Sequence, residues 1–160
     1  MGHAVTKGHL LFEETLADPN SFRIKGGSTL TWEDEHNHTC WEGDHTIPRL
    51  IQTDQGFYIK FKWCTYGCLV NALCGKWCIE ILYEKKGKGE WELPDPYRIK
   101  MVDFVNHDGH CYNVTCHIPP KVVESGLYDI CVCLYLKDEK GRPLPVAAYG
   151  ELGTFHFYDA

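Results

Sequence analysis

The 160-residue sequence lacks the features that most directly assign a protein to a membrane or to a nucleic acid. No apolar run approaches the ~20 residues that a membrane-spanning helix requires. Lys and Arg together number 16 against 22 Asp and Glu, which gives a formal net charge of −6. Because clustered positive charge drives phosphate binding, this balance argues against a nucleic-acid partner. We therefore expect neither a membrane nor a nucleic acid as partner.

Catalytic motifs are also missing. The sequence contains no phosphate-binding loop, no His-Glu-x-x-His motif and no glycine-rich nucleophile elbow. A Cys–His nucleophile follows no local spacing rule, so nine Cys and nine His leave a Cys–His hydrolase as a third alternative only. The first residues contain no apolar signal-peptide core, which predicts a cytoplasmic location, with export by a leaderless route as the alternative. We expect a protein that is not an enzyme.

Alternation of apolar and polar residues is the main positive signal. It has the period of two that is typical of strands, and it predicts that Phe57, Ile59, Phe61 and Trp63 face a core. Glycine, proline or asparagine punctuates the chain roughly every 8–15 residues, as in all-β domains. Helical turns are expected only near residues 10–16 and 66–73. The predicted fold class is an all-β antiparallel sandwich. The other alternating segments are residues 77–83, 111–118 and 126–136.

The order of aromatic residues adds a resemblance at the level of fold. Trp63 ends one predicted strand, Trp77 opens the next, and Gly126-Leu127-Tyr128 precedes a third. From about residue 48 to 158 these features resemble immunoglobulin-like and fibronectin-III-like domains, and also uncharacterised bacterial sandwich proteins. The resemblance implies that Tyr128 is a tyrosine corner, whose hydroxyl bonds to upstream backbone. Ile130 stands where antibody-type domains carry a cysteine, so their inter-sheet disulfide is not expected here.

Residues 1–45 are predicted to form an N-terminal extension packed on a sandwich of residues 46–160. Residues 22–25 and 28–32 suggest a hairpin with a Gly26-Gly27 turn, followed by a polar loop from Glu33 to Asp44. An apolar patch facing away from the core would be unusual for an uncovered surface. We expect the extension, or else a partner, to cover such a patch on one sheet. Its predicted members are Cys78, Leu82, Cys131, Cys133 and Tyr135.

Four cysteines are the candidate metal ligands. Cys64, Cys68, Cys74 and Cys78 surround one inter-strand loop, and the Cys-x3-Cys pairs fall within the spacing of structural zinc sites. Zinc or copper suits thiolate ligands. Two nearby disulfides are the alternative in an exported protein, whereas reduced thiols are the default in the cytosol. The primary expectation is therefore no cofactor, with zinc as the alternative.

The loop from Thr65 to Leu73 is apolar and aromatic, and it occupies the place where immunoglobulin-like domains carry recognition loops. Tyr66, Leu69, Val70 and Leu73 are the candidate binding residues, and the alternative is that the loop folds back as a cap on the core. The sequence predicts a non-catalytic binding module that presents sandwich-end loops to a protein or small ligand. Its partner would be another protein or a second copy. The alternative is a metal-binding or thiol-redox protein that uses the cysteines of this loop.

Overall fold

A computed structural model describes residues 3–14, 20–33, 40–41, 50–87 and 93–159 of the chain. These residues fold mainly into strands, with one 3-10 helix at Cys68–Ala72 and one short α-helix, α1, at Asp95–Arg98. The strands are β1 (His3–His9), β2 (Leu11–Glu14), β3 (Arg23–Glu33), β4 (Cys40–Trp41), β5 (Leu50–Gln52), β6 (Phe57–Tyr66), β7 (Lys76–Lys85), β8 (Ile99–Asp103), β9 (Cys111–Ile118), β10 (Gly126–Lys137) and β11 (Pro143–Tyr158).

The strands form two sheets. The first has the order β4-β1-β3-β6-β9, and the second has the order β2-β11-β10-β7-β8, with β5 added alongside β11. Pairing is antiparallel except between β1 and β4 and between β5 and β11. The predicted all-β sandwich is confirmed. In the described part of the chain, no helix is long and apolar enough to cross a membrane.

The core lies between the two sheets and follows the predicted alternation. Every second residue of β6 is buried, and Trp63 is fully buried, as is Trp77 at the start of β7. Their rings meet edge to face at 5.6 Å, and the Tyr112 ring of β9 stacks on Trp63 at 4.8 Å. Burying each such aromatic side chain contributes about 2–3 kcal/mol. This cluster joins the inner faces of the two sheets, and the alternate side chains of the same strands face outward.

The tyrosine predicted to be a corner residue makes the expected contact. Tyr128 Oη donates a hydrogen bond to the backbone oxygen of Glu124 at 3.0 Å, and the side chain is fully buried. This bond holds the segment before β10 against the strand that follows. The contact implied by the resemblance is therefore present.

The N-terminal segment differs from the prediction in two places. β3 is one continuous strand, so the predicted hairpin at Gly26-Gly27 is wrong. Instead the register with β6 shifts between Lys25 and Ser28, where the two glycines form a bulge. A side chain at Gly27 would lie 2.7 Å from the backbone oxygen of Leu10, which explains why the bulge needs glycine there. The predicted helical turn near residues 10–16 is also wrong, since Leu11–Glu14 pairs with β11 as strand β2.

Two predicted loop segments remain, one after β6 and one after β3. The predicted helical turn near residues 66–73 is confirmed by the 3-10 helix at Cys68–Ala72. Most of the predicted polar loop from Glu33 to Asp44 lies outside the described residues.

Candidate functional site

The structure does not bring the four candidate metal ligands together. Cys64 of β6 is disulfide-bonded to Cys111, the residue directly opposite it on β9. Cys68 and Cys74 are exposed, and Cys78 is buried on the side of β7 that faces away from the core. Among the described residues, no three or more His, Cys, Asp or Glu side chains form a group that could hold a metal ion. The disulfide joins neighbouring strands of one sheet, so it is not the inter-sheet bond of antibody-type domains.

Three of the remaining thiols have raised pKa values. A hydrogen bond with Glu139 raises the pKa of Cys74, and burial raises the pKa of Cys133. Burial also raises the pKa of Cys116 to about 11. Because the thiolate is the reactive and metal-binding form, these groups are poor nucleophiles and poor ligands at neutral pH.

The raised pKa of Cys116 predicts a loss of stability in alkali. Below pH 9 the thiol is protonated in both the folded and the unfolded chain, whereas between pH 9 and about 11 it ionises only when unfolded. A shift of this size corresponds to roughly 2–3 kcal/mol, present below pH 9 and lost as the pH rises through the folded value. Urea denaturation at pH 8 and pH 10.5 should show a smaller decrease for Cys116→Ala than for the wild type. Cys68→Ala, which removes an exposed thiol, is the matched control. An equal decrease in all three proteins would contradict the assignment.

The predicted binding loop is folded against the core. Val70 is fully buried, and Leu69 and Leu73 are half-buried and pack on the core cluster. The Leu69 N–H donates to the backbone oxygen of Ser21 at 2.9 Å, which ties the loop to the segment before β3. The aliphatic side chains therefore cap the core, as the alternative interpretation of this loop predicted. Tyr66 belongs to a different surface, since it precedes the 3-10 helix on the outward side of β6.

The predicted thiol patch does lie on one face, on the outward side of the second sheet. Cys131 is opposite Leu82 and Cys133 is opposite Glu80 on β7, and Cys133 is also opposite Tyr149 on β11. Leu82 and Tyr149 are 36% and 39% exposed. The described strands of the predicted N-terminal extension are β1 to β4. They are hydrogen-bonded within the two sheets and do not lie over this patch.

Carboxylates surround the thiol patch. They belong to Glu80 and Glu84 of β7, Asp129 of β10 and Glu151 of β11. A hydrogen bond from Thr154 lowers the pKa of Asp129, which stabilises its charged form. Glu80 is paired with Arg98 and Asp129 with Lys86, so Glu84 and Glu151 supply the net negative charge around the half-buried thiols.

The outward side of the first sheet has the opposite charge. We call it the basic face and define it by Lys7 of β1, Arg23 and Lys25 of β3, and Lys60 and Lys62 of β6. Lys7 of β1 and Lys60 of β6 both lie opposite Leu30 of β3, one on each side of it. Lys62 lies opposite Ser28 of β3. No carboxylate is present among the described outward side chains of this sheet.

The basic face cannot be recognised in the sequence, because its residues are far apart in the chain. The alternation of β6 predicts that Lys60 and Lys62 face water, but it gives no information on which strands flank β6. Only the pairing of β6 with β3, and of β3 with β1, brings the five cations to one surface.

A row of stacked rings crosses the basic face. Tyr58 of β6 stacks on Trp32 of β3 at 5.3 Å and on His117 of β9 at 4.5 Å. Since β3 and β9 flank β6 on opposite sides, both faces of the Tyr58 ring are covered. The row links three strands and stiffens the centre of the basic face. Tyr66 is also on this surface, with Arg23 and Lys25 each 5.5 Å from its ring centroid.

Comparison with known proteins adds no relative from which a function could be transferred. No protein-family model matches the sequence, and no curated protein matches it.

Proposed function

We propose that this protein is a non-catalytic binding module and that the basic face recognises an acidic surface of a protein partner. The observation that carries the proposal is the segregation of charge. A chain with a net charge of −6 places five cations, and no carboxylate among its described outward side chains, on one side of a sheet.

The arrangement of the cations supports a role in recognition. Lys60 and Lys62 project from the same side of β6, two residues or about 7 Å apart. Like charges at such distances repel one another and lower the stability of the folded chain. A partner with carboxylates at matching positions would relieve this repulsion and would be attracted over longer distances.

The stacked rings favour a protein over a nucleic acid. Single-stranded nucleic acids bind to basic surfaces by stacking bases on exposed aromatic faces. Both faces of Tyr58 are covered by Trp32 and His117, so this ring offers no platform for a base. A charged sheet surface whose central rings are stacked on one another suits the surface of a second folded protein. The acidic side of a second copy is one surface of this kind.

The alternative thiol-redox or metal-binding function has less support. A redox thiol is activated by a lowered pKa, whereas Cys74, Cys116 and Cys133 have raised values. The disulfide between Cys64 and Cys111 joins two neighbouring strands, as a structural cross-link does. Structural disulfides are typical of oxidising compartments, which supports export over a cytoplasmic location.

Charge reversal on the basic face tests the proposal. Polyglutamate serves as the acidic probe, and its binding is measured by isothermal titration calorimetry at 50 and 300 mM salt. The double substitution Lys60→Glu and Lys62→Glu should weaken binding at 50 mM salt by about tenfold or more, since each exposed charge contributes up to about 1 kcal/mol. The control is Lys76→Glu with Lys140→Glu, which changes the net charge equally but alters exposed residues of the second sheet and its β10–β11 turn.

The control variant should bind within twofold of the wild type. Equal weakening in both variants would show a response to net charge alone and would overturn the assignment to the basic face. Tighter binding of single-stranded RNA than of polyglutamate would overturn the choice of an acidic protein surface as ligand. Sedimentation equilibrium at 50 mM salt identifies the case in which the partner is a second copy.

A further inference from the structure

A second surface feature lies at the side of the sandwich where both sheets end. β9 is the last strand of the first sheet and β8 is the last strand of the second. A pocket of about 220 Å³ opens between them, with α1 at one side. We call it the edge pocket. It is lined by Ile79, Ile81, Pro96, Tyr97, Arg98, Ile99, Lys100, Cys116 and His117.

The floor of the edge pocket is apolar. Ile79 and Ile81 of β7 are almost fully buried, and Cys116 of β9 is 7% exposed. The Cys116 thiol is uncharged at neutral pH, and burial raises its pKa further above that range, to about 11. Tyr97 and Ile99 also line the pocket and are more accessible than this floor, so a hydrocarbon group in this space would replace water next to their apolar surface, which is favourable.

The charged residues that line the edge pocket are cationic. Arg98 is already held by carboxylates, since its Nη1 lies 3.4 Å from Glu80 Oε1 and its Nη2 lies 2.6 Å from Asp95 Oδ1. Lys100 Nζ donates to the backbone oxygen of Thr115 at 3.1 Å. An ammonium group has three N–H donors and this bond uses one, so Lys100 can bond to a ligand without leaving Thr115. No carboxylate is among the described residues that line the pocket.

Size and charge together define the ligand class. Cavities of about 150 Å³ accommodate benzene, so this pocket has room for a body of similar size with one polar group. We propose that the edge pocket binds small monocarboxylates, with the hydrocarbon part against Tyr97 and Ile99 over the floor of Ile79, Ile81 and Cys116, and the carboxylate on the Lys100 ammonium. A carboxylate is preferred over a neutral polar group because its hydrogen bond to an ammonium is charge-assisted. The pocket shares His117 with the ring row of the basic face but uses none of its five cations, so neither proposal depends on the other.

Titration with hexanoate and with hexanol tests the proposal, because the two have a similar hydrocarbon chain but differ in charge. Binding is followed by the shifts of backbone amide resonances in two-dimensional NMR. Hexanoate should shift residues of β7, β8 and β9 around the pocket and should bind more tightly than hexanol. Lys100→Gln, which keeps a polar side chain without the charge, should weaken hexanoate about three- to tenfold and leave hexanol unchanged.

The matched control is Lys76→Gln on β7, where the lysine lies 3.8 Å from Asp103 and does not line the pocket. It should bind hexanoate like the wild type. Equal affinity for hexanoate and hexanol in the wild type, shifts located elsewhere, or equal weakening by both substitutions would overturn the proposal. The amide spectrum of each variant also shows whether it is folded, so a loss of binding through unfolding is recognised directly.

Discussion

Removal of the disulfide between Cys64 and Cys111 is expected to lower the free energy of unfolding by about 3–4 kcal/mol, since the bond closes a loop across a sequence separation of 47 residues. Without it, the unfolded chain gains conformational entropy. Native contacts change little, because Cys64 is half-buried and Cys111 is exposed. The double substitution Cys64→Ala and Cys111→Ala, compared with the wild type by urea denaturation, measures the effect.

Two control measurements distinguish the loss of the disulfide from other effects of the substitutions. The wild type in a strong reductant should match the double variant, whereas the double variant itself should not respond to the reductant. Cys68→Ala, at an exposed unpaired cysteine, should change stability by less than about 0.5 kcal/mol. A wild type that is equally stable with and without the reductant would show that the bond does not stabilise the fold in solution.

Gly67→Ala is expected to destabilise the protein by about 3–5 kcal/mol, because it combines an unfavourable backbone conformation with a backbone clash. The residue has φ +117, and a Cβ atom there would lie 2.2 Å from the backbone oxygen of Ser21. That oxygen accepts the Leu69 N–H and cannot move without releasing the cap over the core. Thermal and urea denaturation measure the loss.

Gly141→Ala measures the cost of a positive φ where an added Cβ meets no clash. Gly141 has φ +79, but nothing lies within 4 Å of the position of an added Cβ. Its substitution should therefore cost only about 1–2 kcal/mol, from the backbone conformation alone. Equal losses at both positions would indicate that the close approach of Gly67 to Ser21 is relieved at no cost.

The faces of individual strands could be predicted from the sequence, because side chains alternate with a period of two whatever the neighbouring strand is. The core residues of β6, β7 and β10 are buried where the alternation places them, and Cys78 of β7 is buried in addition on the outward side. Strand pairing could not be predicted in the same way. A Gly-Gly pair between two alternating segments is compatible with a tight turn and with a bulge. At Gly26-Gly27 the long neighbour β6, which pairs with both halves of β3, selects the bulge.

The grouping of the functional residues could not be predicted either, because strand pairing brings them together. Spacing along the chain groups Cys64 with Cys68, Cys74 and Cys78, whereas the partner of Cys64 is Cys111, 47 residues away on a neighbouring strand. The apolar loop near Val70 has the composition of a contact surface and of a core cap alike, and only its burial decides between them. Long-range pairing assembles both proposed sites, so neither the basic face nor the edge pocket has a local signature.

The bond from Lys100 to Thr115 has a further consequence for the solubility of the protein. β9 is the last strand of its sheet, so the backbone groups along its unpaired edge have no neighbouring strand among the described residues. Such an edge is a template on which a strand of another molecule can add, which is how many β-proteins aggregate. The lysine ammonium occupies one of the carbonyl oxygens on which an added strand would depend, and it places a positive charge along its path. The residue proposed to hold a carboxylate also protects the exposed edge of the sandwich from intermolecular strand pairing.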